Sequence, residues 1–73
     1  MNYNGWKNRE TWNVALWIGN DYGLYTAARN YRNYRKFIES EGLVGKTTGD
    51  GVRWDSPKLS YSELNAMIRE LSV

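Results

Sequence analysis

The densest run of chemistry-bearing side chains is Arg29-Asn-Tyr-Arg32-Asn-Tyr-Arg35-Lys36, with four positive charges in eight residues. Cations interleaved with aromatic rings are what a nucleic acid calls for: the charges neutralise phosphates and the rings stack on unpaired bases. At about 100° per residue, Arg29, Arg32 and Lys36 gather on one flank of a helix with Tyr25 between them, and these four are the candidate nucleic-acid contacts. The opposing reading is a solvated face. Tyr31 and Tyr34 then belong to an apolar stripe, and Glu39, four residues after Arg35, offsets part of the charge. Arg35 falls inside the apolar arc, which requires it to snorkel or to pair with a carboxylate such as Glu10.

A second constellation is Arg9, Asn13 and Trp17, spaced four residues apart on the one side of the first helix that is not plainly apolar. A tryptophan beside polar groups is the make-up of a protein-binding hot spot. Together with Trp54, in a later glycine-rich stretch, these three are the candidate protein-binding residues. The competing expectation is that an N-terminal arm folds back through Tyr3 or Trp6 and covers Trp17, because small domains seldom leave tryptophan bare.

Other motifs carry less. Gly42-Leu-Val-Gly45-Lys46-Thr47 has the tail of a phosphate-binding loop, but Ser40 stands where that pattern needs its first glycine, and the segment follows a helix rather than a strand. The match is read as accidental. Asp50 and Asp55 flank Trp54 and have the oxygen chemistry for a divalent cation, although aspartate in such turns more commonly bonds the backbone. The chain has no histidine and no cysteine, and its serines lack an activating partner. The reading is a protein that is not an enzyme and has no catalytic, cofactor or metal site.

These side chains need a frame, and 73 residues allow one small domain with a modest core. No disulfide can staple it, so the core must be dense, and four Trp, six Tyr and one Phe supply the area. The expected fold is all-α: a compact three-helix domain over 1–73 with a long loop between the second and third helices. Residues 1–7 read as an extended arm, and the first helix as 8–18, capped by Asn8 and stopped by Gly19. The second helix is expected over 21–41, capped by Asn20-Asp21, ended at Gly42, and facing inward through Leu24, Ala27, Ala28, Tyr31, Tyr34 and Ile38. Loop chemistry fills 43–59, with a brief extended segment around Asp50-Gly51 pinned by Trp54. The third helix, 60–72, has a capping box in Ser60-Tyr-Ser-Glu63 and a hydrophobic staple from Leu59 to Leu64.

The net charge of +2 is too small to argue for nucleic acid by itself. The N-terminus has no signal-peptide pattern and no apolar run is long enough to span a bilayer, so a cytoplasmic protein without a membrane partner is expected. A homo-oligomer is compatible with so small a core.

The string Trp6-Lys-Asn-Arg9-Glu-Thr-Trp12-Asn-Val-Ala-Leu-Trp17-Ile-Gly-Asn20-Asp21 resembles the signature of a family of small proteins from bacteriophages and some bacteria, a domain of unknown function. Asp50-Gly-Val-Arg-Trp54-Asp and the Leu-Ser-Tyr-Ser-Glu-Leu helix start are similar to later stretches of that family, so the likeness spans Gly5 to Leu71. Gly19 departs from the asparagine that follows Leu-Trp-Ile in the family pattern. The resemblance implies a phage or mobile-element source and a cytoplasmic setting, and it carries over no catalytic residue. The expected function is a protein-interaction module acting on a host protein, with nucleic-acid binding as the alternative.

Overall fold

Helix α1 (Arg9–Asn20) begins where Asn8 caps it in the computed structural model, which describes residues 3–72. Asn8 is extended, and its Oδ1 accepts from the Thr11 N–H at 2.9 Å and the Thr11 hydroxyl at 2.6 Å. The helix does not stop at Gly19. It continues to Asp21, whose N–H donates to the Trp17 carbonyl while its Oδ1 accepts from the Leu24 N–H at 2.9 Å. Asp21 therefore ends α1 and starts α2 (Tyr22–Ala28) in a single residue. A carboxylate able to cap the next helix sets this boundary, and the glycine's freedom goes unused.

The expected second helix is two helices, which overturns the three-helix count: the described residues form four, α3 being Tyr34–Ser40 and α4 Tyr61–Leu71. After α2 the backbone tightens, with Asn30 N–H bonding to Ala27 and Tyr31 N–H to Ala28. Asn33 is extended, and its side chain accepts from Lys36 N–H to open α3. Asparagine offers the backbone such local alternatives to a helix. The break is held from outside as well, because the Tyr34 N–H donates to Asn65 Oδ1 of α4 at 2.7 Å. Most of the expected inward stripe survives the break: Ala28, Tyr34 and Ile38 are buried, and Leu24, Ala27 and Tyr31 pack against them.

Helix α3 ends as expected at Gly42, with φ +72°. Leu43 N–H reaches back to Ile38 and Gly42 N–H to Glu39, the paired bonds of a Schellman stop. The 43–59 stretch contains a small hairpin turn: Thr48 N–H bonds to Val52, Gly51 N–H to Thr48, and Thr47 bridges Arg53. Trp54 N–H donates to Lys46 and closes its base.

The expected extended arm differs too. Its first two residues lie outside the described residues, and Tyr3 and Trp6 exchange both backbone bonds around Asn4 (φ 51°) and Gly5 (φ 92°). Two left-handed residues in an Asn-Gly pair make the tight hairpin turn that pairing favours. Tyr3 lies 6.0 Å from Trp12, centroid to centroid.

The core joins Val14 and Ile18 of α1 to Phe37 and Ile38 of α3, Leu64 and Ile68 of α4, and Trp54 from the loop. Helix α1 packs on α2 and α4, and α3 on α4. The Ser60 capping box is only half closed within its own helix. Ser60 Oγ accepts from Glu63 N–H, but the Ser60 N–H donates to Thr11 Oγ1 at 2.9 Å, and Glu63 Oε1 accepts from Lys7 N–H at 2.9 Å. With Asn8 Nδ2 donating to the Lys58 carbonyl at 2.7 Å, the starts of α1 and α4 are tied into one polar junction.

Candidate functional site

The row Arg9, Asn13, Trp17 on α1 converges on the hairpin turn through Asp50. Asn13 Nδ2 donates to Asp50 Oδ2 at 2.9 Å and Trp17 Nε1 to the same oxygen at 3.0 Å. The Thr48 hydroxyl donates to Asn13 Oδ1 at 2.7 Å, and its own oxygen accepts from Val52 N–H at 3.2 Å. The bonds from Asn13 and Trp17 hold the Asp50 carboxyl below the usual range, and the charge of Arg9 adds to the effect. Arg9 is exposed and forms no ion pair among the described residues.

Two of the sequence candidates are interior. Asn13 is 1 % exposed and Trp54 3 %, so neither presents the exposed polar or aromatic surface expected of it. The reason is chemical in both cases: the Asn13 amide is consumed by Thr48 and Asp50, and the Trp54 carbonyl accepts from the buried Tyr34 hydroxyl, which burial pushes far above the usual phenol range. Trp17 is half-buried. The hairpin turn covers it, for an added Cβ on Gly49 would lie 2.5 Å from Trp17 Cζ2, while Tyr3 of the arm lies by Trp12 and Trp6 beside Glu63 and Met67.

What remains open at this corner is a groove in two adjoining parts that share Trp17 and Asp21. The first part, of about 250 Å³, is completed by Leu16, Asn20 and Asp50. The second, of about 410 Å³, runs past Leu24, Glu41 and Leu43 to Trp54 and the hairpin turn. Leu16 is 39 % exposed, a large apolar side chain left on the outer face of α1. Nearby, Tyr22 is 82 % exposed at the start of α2. Leu16 is not among the candidates read from the sequence; its position on α1 opposite Ile18, beside Arg9 and Asn20, is the signal that marks it.

The nucleic-acid candidates do not share one helix. Tyr25 lies in α2, Arg29 caps its end, Arg32 stands in the break and Lys36 belongs to α3. Arg29, Arg32 and Lys36 are exposed, and Arg29 sits 5.9 Å from the centre of the Tyr25 ring. Arg35 does not pair with Glu10 among the described residues: it is exposed, with its guanidinium 5.0 Å from the centre of the Tyr61 ring, which itself packs against the core. The ion pair among the described residues is elsewhere, between Arg53 and Asp55 at 3.0 Å. That pair holds the Asp55 carboxyl below the usual range and occupies both its oxygens, so Asp50 and Asp55 serve separate partners. Gly42–Thr47 leads from α3 into the hairpin turn and not into a helix, so it builds no phosphate cradle.

The fold and this corner define a small all-helical protein whose tryptophan-bearing first helix is tied to every other part of the chain that it touches. Over residues 1–73 the chain matches a family model described as "Family of unknown function (DUF7249)", and it belongs to that family. No curated protein and no solved structure matches it.

Proposed function

We propose that this protein acts by binding another protein through the α1–α2 corner and carries out no catalysis. The observation that supports the reading is the exposure of Leu16 beside the half-buried Trp17 at the mouth of a groove. Large apolar side chains grouped at a concave site, with polar groups at the rim, are the make-up of a docking surface. Arg9 and Asn20 are exposed on the same outer face of α1 and supply part of that rim. The family resemblance adds a phage or mobile-element source and a cytoplasmic setting; a host protein as the partner follows only by analogy with other small phage proteins.

The test is a random peptide library displayed and panned on the immobilised chain, followed by Leu16→Glu. Glutamate suits an exposed helical position, so the melting temperature should hold. Selected peptides should bind the variant at least about tenfold more weakly, as the loss of an interface anchor implies. No enrichment, or equal binding to both forms, would remove the corner from consideration.

A second reading rests on Arg29, Arg32 and Lys36, which are exposed and without ion pairs among the described residues, with Arg29 over Tyr25. Cations beside a half-buried ring suit a single-stranded nucleic acid. The broken helix spreads these groups over three segments, so the corner is preferred.

A further inference from the structure

Three carboxylates line the groove along Trp17, namely Asp21, Asp50 and Glu41, and no lysine or arginine lines either part, although the chain as a whole is positive. Each carboxylate is fixed through one oxygen: Asp21 Oδ1 by Leu24 N–H, Asp50 Oδ2 by Asn13 and Trp17, and Glu41 Oε2 by the Tyr31 hydroxyl at 2.8 Å. The second oxygen of each takes no hydrogen bond among the described residues. The groove thus combines held acceptors with an indole and the apolar side chains of Leu16, Leu24 and Leu43.

We propose that this groove receives a basic segment of the partner protein, an arginine or lysine side chain flanked by an apolar residue. The inference rests on the binding reading above and names the occupant. A guanidinium or ammonium finds free carboxylate oxygens and the Trp17 ring, while its aliphatic stem lies along apolar wall. A small metal ion fits less well, because the acids are spread over two cavities and the described residues hold no cluster of three metal-ligating side chains. The basic run of a second copy offers the same charges, but that contact is head-to-tail and leads to open chains unless the rotation closes.

The experiment titrates acetyl-Leu-Arg-Leu-amide into the isotope-labelled full chain and follows the tryptophan indole N–H signals. The Trp17 signal is identified by its loss in Trp17→Phe. The citrulline analogue of the peptide keeps the shape without the charge. The arginine peptide should shift the Trp17 signal saturably and bind about tenfold more tightly than its analogue, the sum of a few screened charge contacts. In Asp21→Asn/Glu41→Gln/Asp50→Asn each amide keeps an oxygen for the existing bond, and the two peptides should bind alike. The citrulline comparison needs no variant, so a folding defect in the triple variant leaves the proposal open to refutation. Equal binding of both peptides at Trp17 would overturn the basic occupant while leaving the corner as a docking site. No shift at Trp17 from either peptide would also overturn it. Particle size that grows with concentration, and stops growing in the triple variant, would assign the groove to a second copy and overturn it likewise. Failure of the binding reading is a separate result, read from Leu16→Glu.

Discussion

A buried amide is costly unless its polar atoms are bonded, and Asn13 meets that demand by splitting its two ends between Thr48 and Asp50. Its alignment with Trp17 was legible as helical spacing. Its destination was not, because Thr48 and Asp50 lie 35 and 37 residues further on and no local rule points to them. The same holds for Gly49, whose role is steric: the six-membered ring of Trp17 occupies the space of its missing side chain. Gly49→Ala should destabilise the fold by about 1–3 kcal/mol, the usual cost of forcing atoms into a filled site. It should also displace the Trp17 indole N–H signal as the bond to Asp50 breaks. A thermal melt and one spectrum check both, and an unchanged signal would mean that the turn accommodates the methyl group with the Trp17–Asp50 bond intact.

Four polar residues open the four helices: Asn8, Asp21, Asn33 and Ser60. Asn8, Asp21 and Ser60 were legible because each stands just before an apolar periodicity begins. Asn33 was hidden inside a stripe that keeps helical spacing across the break, and the competing signal was its own side chain with that of Asn30. Asn4-Gly5 was the stronger missed cue, since that pair between Tyr3 and Trp6 is a hairpin sequence in its own right. The caps should differ in worth. Ser60→Ala removes one cap bond and should cost about 1 kcal/mol. Asn8→Ala removes the bonds to Thr11 and also the reach to Lys58, so its cost should approach about 2 kcal/mol, the upper end for a cap. Urea denaturation of the two variants ranks them, and a reversed order would mean that the junction between α1 and α4 adds little.

For the molecule as a whole, charge is the property that composition describes least well. A net +2 conceals a groove whose charged lining residues are all acids and a set of exposed cations running from the end of α2 through the break into α3. The acids come from the α1–α2 boundary, the end of α3 and the hairpin turn, so only the folded chain assembles them. No helix among the described residues is long and apolar enough to cross a membrane. If the basic run engages single strands, binding at low salt should fall steeply as salt rises and weaken in Arg29→Glu/Arg32→Glu. No binding even at low salt leaves those charges as a solvated surface. The junction of Asn8 and Thr11 with Lys58 and Ser60 links residues 50 and 49 apart. A chain made from its N-terminus exposes the start of its first helix long before the segment that secures it exists. Synthesis must reach Lys58 and Ser60 before the start of α1 can be tied down, so this junction closes only after α1, α2 and α3 have all been made.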